Sequence, residues 1–415
     1  MSAAPRHATM YGSLQPQRAS PMQPDKRVLA TFALGHLAND WTVGAIWLVA
    51  PAMALAMGLG SEEVGLLITL YGIGAAIAYL PTGVLADRMS RRGGLLLATF
   101  WWVAIGHIAA SLMPEYWTFT LLLCVAVMGD AAWHPAATGY LVQRYPERRA
   151  HVLGVHAMGG SIGAEVLAPL GVGAVLAFAD WRTALQVSAL PPLIMGVAFI
   201  WIARRLKEVP VPQQGPVDLR GLLAPWMRGT GARLMATMVL YNMSVFALAS
   251  MMPLYLQTEV GLGPMMVAVI FAAALLAGSV LQPWFGRLSD DVGRLPVMLA
   301  GTLAGGIAAF FAGTLAGGTA PVVAVVIAIA ILTGIRSAFL ASAVDIAHER
   351  ASATLALAFT IMDGVGAIGA LLAGYAGSDD LSRAFLLGAG FALAAAALTG
   401  ATSFMTHVDK QRQVG

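Results

Sequence analysis

Charge is what this 415-residue chain has least of: Asp, Glu, Lys and Arg together make up 11% of it, against about a quarter in soluble domains. So few ionic groups exclude a water-soluble enzyme of this size, because they could not cover its surface. One cysteine, Cys124, stands inside an apolar run. No disulfide can form within the chain, and the thiol says nothing of the compartment. HExxH, His/Cys clusters at ligand spacing and a phosphate-cradling Lys-Ser/Thr loop are all missing from the sequence. Metal hydrolysis and direct drive by ATP therefore lack support, and neither a metal nor a cofactor is expected. The net charge of +3 forms no block that would suit nucleic acid.

What fills the chain is apolar. Hydrophobic residues make up 58%, and the mean hydropathy is +0.75. A spanning helix takes about 20 apolar residues, and breakers divide the sequence into twelve such runs. They cover 28–57, 62–86, 93–113, 116–143, 150–178, 183–203, 232–258, 264–288, 294–316, 320–345, 352–375 and 381–406. The expected fold is an all-α integral membrane protein of twelve transmembrane helices, solvated by the lipid bilayer. Residues 1–27, rich in Pro, Gln and Ser, read as a disordered cytoplasmic tail and not as a signal peptide. One six-helix bundle then runs over 28–203, a polar cytoplasmic linker over 204–231, a second bundle over 232–406 and a cytoplasmic tail over 407–415. With both termini inside, the outer loops hold only Arg182 and Arg383 of the basic residues. That asymmetry is the positive-inside pattern of a multi-pass inner (plasma) membrane protein.

The halves look like copies. At an offset of about 203, Gly58 meets Gly261, Gly83 meets Gly286, Asp87 meets Asp290, Arg91 meets Arg294 and Gly163 meets Gly366. Internal repeats are a recurring architecture of secondary transporters.

After the second run comes Gly83-Val-Leu-Ala-Asp87-Arg-Met-Ser-Arg91-Arg92-Gly93, and a weaker copy, Gly286-Arg-Leu-Ser-Asp290-Asp-Val-Gly-Arg294, follows the eighth. This pattern resembles the loop signature of the major facilitator superfamily. Asp180-Trp181-Arg182 resembles the Trp-Arg often found between that family's fifth and sixth helices. The resemblance covers nearly all of 28–406. It implies two six-helix bundles about a central cavity lined by helices one, four, seven and ten, alternating access, a monomer, and gating at Gly83, Asp87, Arg91, Arg92, Asp290 and Arg294.

Ionisable residues inside the runs are costly, at roughly 2.5–3.5 kcal/mol each near a bilayer centre, and usually face a cavity or a partner. His36 and Asp40 form an i, i+4 pair in the first run, beside Asn39. Asp130 and His134 form another in the fourth, beside Trp133. Such pairs share one helix face and can exchange a proton near neutral pH. Gly35-His36-Leu-Ala-Asn39-Asp40 and Trp133-His134-Pro135 are similar to landmarks of the fosmidomycin-resistance type of exporter, although Ala136 stands where that group has an acid.

The fifth run is rich in Gly and carries Glu165. The tenth carries Arg336, which could bind an anion or pair with an acid such as Asp130. The eleventh carries Asp363, and Asn242 answers Asn39 across the repeat. These residues nominate His36, Asp40, Asp130, His134 and Glu165 for proton coupling, and Asn39, Trp133, Asn242 and Arg336 for a small-molecule substrate. The expectation is a proton-coupled exporter. An uptake symporter for a small organic anion, with Arg336 as its anion site, and a non-transporting membrane receptor are the alternatives.

Overall fold

In a computed structural model of the chain, residues 24–211, 219–347 and 356–414 are described. The expected N-terminal tail up to residue 23, the middle of the linker and His348 lie outside them. Twelve helices are long and apolar enough to cross a membrane. They are α1 (Lys26–Met57), α2 (Ser61–Asp87), α3 (Gly93–Ser111), α4 (Tyr116–Arg144), α5 (His151–Leu176) and α6 (Trp181–Arg205) in the first half. The second half holds α7 (Gly229–Thr258), α8 (Pro264–Val292), α9 (Arg294–Thr314), α10 (Ala320–Ile346), α11 (Ala356–Ala376) and α12 (Ser382–Thr402). The twelve-helix expectation is met.

Several ends differ from it by a few residues. α7 starts at Gly229, three residues before the apolar run, because polar Thr230 and Arg233 belong to its first turn. Helix also continues past α12 to Val414, through a stretch that ends in the polar run Asp409 to Gln413.

The duplication is built into the backbone. Gly58 (φ 68°) ends α1 and Gly261 (φ 75°) lies in the turn after α7, both in the left-handed region that side chains other than glycine avoid. Gly163 on α5 faces the backbone of Leu37 on α1, and Gly366 on α11 faces Asn242 on α7. A Cβ at Gly159 would stand 2.9 Å from Ala33 Cα. The small residues of α5 thus admit α1 at backbone distance, as close-packed membrane helices require.

The halves meet along α2/α11 and α5/α8. At the end carrying the α1–α2 turn, Ser61 Oγ donates to Gly374 O at 2.7 Å and Thr69 Oγ1 to Ala367 O at 2.7 Å. A Cβ at Gly173 on α5 would lie 3.2 Å from Pro264 O on α8. Trp47 on α1 fills the seam against Phe246 and Phe271, with ring centroids at 5.6 and 6.3 Å. Nearer the linker end, the last bond between halves is Tyr79 to Asp363. Beyond it, the hydrogen bonds and ion pairs among the described residues stay within one half or reach the linker segment. Among the described residues, the polar ties across the interface thus run from the α1–α2 end as far as Tyr79.

Candidate functional site

α1 and α4 bring their two i, i+4 pairs together. His36 Nε2 lies 3.1 Å from Asp40 Oδ2, and His134 Nε2 lies 3.8 Å from Asp40 Oδ1 and 3.5 Å from Asp130 Oδ2. The ring of His36 stands edge-on to that of His134, with centroids 5.0 Å apart. His156 on α5 joins them, stacked on His36 at 4.1 Å. Its own carbonyl accepts from His36 Nδ1 at 2.8 Å. Because a carbonyl only accepts, Nδ1 carries the proton and, in the neutral ring, the lone pair sits on Nε2. Asp130 is the most enclosed of the four side chains and His134 the most open, at 4% and 28% exposure. One donor atom each from His36, Asp40 and His134 falls within 4.8 Å of the others, a set that could hold a metal ion.

A second constellation crosses between the halves. α5 and α11 each contain one wide π-helical turn, at Ile162–Leu167 and Thr360–Val365. Each turn carries a carboxylate. Glu165 accepts from Ser279 on α8. Asp363 accepts from the Tyr79 hydroxyl on α2 at 3.1 Å, while Arg336 Nη2 stands 3.6 Å from its other oxygen. Arg336 therefore takes Asp363 as its partner and not the suggested Asp130. It opens on that same region, with its guanidinium 5.8 Å from the Phe359 ring centre. π-turns of this kind often mark functional positions.

Three of the four residues expected to touch substrate are buried. Trp133 is fully buried inside the first half, between Phe32, Phe100 and Phe199, and offers no face to a ligand in this arrangement. The Asn242 amide donates to the Met362 carbonyl and fastens α7 to α11. Asn39 is wholly buried, and its side-chain amide has no hydrogen-bond partner.

The loop residues divide their roles unevenly. Arg92, not the repeat-matched Arg91, is the buried arginine of the α2–α3 loop. It reaches Asp87 at 3.4 Å and Gln143, at the end of α4, at 3.0 Å. Burial lowers its guanidinium pKa and Asp87 raises it. Arg91 instead pairs with exposed Glu208 at 2.6 Å. In the second half Arg294 joins Asp290 and, at 3.3 Å, Asp345 at the end of α10. The same tie, from loop to fourth helix of each half, is made by a different arginine position. Gly83 faces Pro135 on α4, 3.6 Å from where its Cβ would be. The Asp180-Trp181-Arg182 motif is also a tie. Arg182 Nη1 donates to the Ser111 and Met113 carbonyls at 2.6 Å each and closes the end of α3.

Residues 32–370 match the Major Facilitator Superfamily. The chain belongs to that family. It is a multi-pass inner-membrane protein, of a transporter class and not an enzyme class. Its similarity to the ectoine/proline transporter ProP of Corynebacterium glutamicum is 25% identity over 278 residues, 57% of this chain and 54% of that one. To the 4-hydroxybenzoate transporter PcaK of Pseudomonas putida it is 24% over 276 residues, 64% and 59%. The matches thus span little more than half the length of these superfamily relatives. The crystal structure of a bacterial homologue of the human lysosomal transporter Spinster, inward-facing and unoccupied, superposes with a TM-score of 0.78. That match has 17% identity and covers 91% of this chain and 96% of that one. It shows the shared fold.

Sequence reasoning passed over His156, Tyr79 and Ser279. A histidine or a tyrosine in an apolar run is visible, but its neighbour on another helix is not.

Proposed function

We propose that the chain is a proton-coupled secondary transporter that moves a small organic anion or zwitterion by alternating access, with Glu165 and Asp363 as the coupling carboxylates. The observation that carries this reading is that each of the two reaches its partner on the opposite half. A ligand shifts a conformational equilibrium only by differential affinity for its states. A proton on a carboxylate whose partner departs when the halves move has such a difference. His36, Asp40, Asp130 and His134, also nominated for protons, all sit on α1 and α4 of one half and keep their mutual contacts if that half moves as a body.

Arg336 supplies the substrate's counter-charge. Its side chain is 37% exposed and stands off from Asp363 at 3.6 Å, which leaves room for a second carboxylate. The distribution of Lys and Arg supports both termini lying in the cytoplasm; on that reading the tied end faces outward and substrate exchanges on the inner side. Uptake is favoured over the expected export, because the named relatives carry ectoine, proline or 4-hydroxybenzoate in their names. The likeness of 35–40 and 133–135 to fosmidomycin-resistance exporters adds phosphonates to the substrates to screen.

The test uses purified protein in liposomes loaded with a pH dye, under an imposed proton gradient, against a panel of amino-acid zwitterions, aromatic acids and phosphonates. Protons and substrate moving together support uptake, and opposite movement supports export. Glu165→Gln and Asp363→Asn should each lose gradient-driven accumulation while still exchanging substrate for substrate. Undiminished accumulation in both variants would overturn the coupling assignment.

A further inference from the structure

We infer that His36, Asp40, Asp130 and His134 form a binding site for one divalent first-row transition-metal ion of borderline softness, such as Zn²⁺ or Co²⁺. This goes beyond the transport reading and does not depend on it.

The first argument is distance. Four ligands at 2.0–2.2 Å around a tetrahedral ion are separated from one another by about 3.3–3.6 Å. His36 Nε2 approaches Asp40 Oδ2 at 3.1 Å, and His134 Nε2 approaches Asp40 Oδ1 at 3.8 Å and Asp130 Oδ2 at 3.5 Å. One donor each of His36, Asp40 and His134 lies within 4.8 Å of the others, so side-chain adjustment alone can close these three on an ion, with Asp130 beside His134. Two helices each contributing a carboxylate and a histidine one turn apart is also a known way for a bundle to enclose a metal.

The second argument is that the donor atoms are free to bind. Among the described residues, His36 Nε2, Asp40 Oδ1 and Asp130 Oδ1 are buried side-chain atoms with no hydrogen-bond partner. Buried polar atoms are rarely left so, and two of these residues, His36 and Asp40, belong to the group of donors that lie within 4.8 Å of one another. In the neutral ring the proton sits on Nδ1, so the 3.1 Å approach of His36 Nε2 to Asp40 brings a lone pair to a carboxylate, an arrangement a shared cation relieves. His36 is meanwhile held in the ligand tautomer, since its Nδ1–H donates to the His156 carbonyl. An outer-shell bond of this kind orients metal-binding histidines.

Charge makes the third argument. The cluster carries two carboxylates, and no Lys or Arg among the described residues pairs with either. A divalent cation neutralises both. Two imidazoles among the donors favour a borderline d-block ion over Mg²⁺ or Ca²⁺, which take oxygen sets.

The site also has a fitted wall and a way in. A Cβ at Gly160 on α5 would stand 2.6 Å from His36 Nε2 and 2.8 Å from Asp40 Oδ2, so only glycine leaves those two donors where they are. His134, with its side chain 28% exposed, is the side from which an ion enters.

The experiment titrates Co²⁺ into purified protein bearing no polyhistidine tag, reads the visible absorption bands of tetrahedral cobalt, and then displaces the ion with Zn²⁺ in a calorimeter. One ion should bind per chain, with intense bands that Zn²⁺ abolishes and Mg²⁺ leaves untouched. His134→Asn, at the most open ligand, and Asp40→Asn should each weaken binding at least ~100-fold, beyond the 10–100-fold typical of outer-shell changes. Gly160→Ala keeps all four donors and should weaken it about tenfold or more by displacing two of them, with thermal melts reporting folding of each variant. No saturable cobalt spectrum in the unmodified protein would overturn the proposal. So would a spectrum and affinity that the folded His134→Asn and Gly160→Ala variants leave unchanged.

Discussion

Tyr79 on α2 and Asp363 on α11 share a 3.1 Å hydrogen bond across the boundary between the halves. A bond to a charged group contributes about 1.5–3 kcal/mol. It exists in the arrangement seen here and breaks if α2 and α11 part. Tyr79→Phe removes it with little change of shape. The population tied at the α1–α2 end should fall about ten- to hundredfold relative to its alternative, and spin-label distances between α2 and α11 at that end should lengthen. Unchanged distance distributions would show that this bond does not bias the equilibrium.

Arg92 and Arg91 are adjacent in the sequence and far apart in consequence. Arg92 has no exposed side-chain surface and ties Asp87 to Gln143, while Arg91 and its partner Glu208 are 82% and 55% exposed. Asp87 is itself 58% exposed, so what Arg92→Ala loses is the packing of a buried side chain and its charged hydrogen bond to Gln143. That bond alone is worth about 1.5–3 kcal/mol, whereas exposed pairs are worth about 0–1 kcal/mol. Arg92→Ala should therefore lower the melting temperature sharply and reduce yield in the membrane. Arg91→Ala should melt within a degree or two of the parent.

Gly159→Ala offers a packing test with an internal control. Its methyl would meet Ala33 Cα at 2.9 Å, whereas at Gly94 nothing stands within 4 Å. Overpacking of this sort costs about 1–3 kcal/mol. Gly94→Ala relieves backbone entropy and should be neutral or stabilising by up to about 1 kcal/mol. Melting curves of the two variants in the same detergent should move in opposite directions, or the first alone should move.

Much of this was legible beforehand, for reasons that differ by level. The helix count follows from hydropathy because lipid demands long apolar runs. The repeat shows through Gly58 and Gly261 because only glycine suits that backbone. The pairs His36/Asp40 and Asp130/His134 were visible because i, i+4 spacing is local. Their convergence on one point was not, since it depends on how α1 crosses α4. No spacing rule for a metal site joins residues 36 and 134, and so the sequence suggested none. Arg336 and Asp363 were each conspicuous as buried charges, yet nothing in the chain names one as the other's partner. Trp133 was nominated for substrate beside His134, and the packing of its ring among Phe32, Phe100 and Phe199 depends on helices the sequence does not juxtapose.

Asp180 caps α6, accepting from the Thr183 amide at 2.8 Å, and that bond holds its carboxyl below the usual carboxylate range. Its folded value lies below that of the unfolded chain. The cap therefore stabilises above the unfolded value, and the gain disappears as pH falls through the folded one. Asp180→Ala should lower the melting temperature at pH 7, and the gap to the parent should shrink as pH is taken below 3.8 toward 3. A gap that stays constant over that range would mean that the carboxylate's charge plays no part.

The π-turns in α5 and α11 each fit one more residue into a turn than a regular helix does. A single-residue deletion within 162–167 or 360–365 would restore ordinary winding, keep the flanking helix in register and re-aim the side chains of the turn itself. Glu165 and Asp363 would then point away from the opposite half while each helix stayed apolar and membrane-spanning. For these two helices reading-frame length, more than composition, separates a chain that can link its halves from one that only folds.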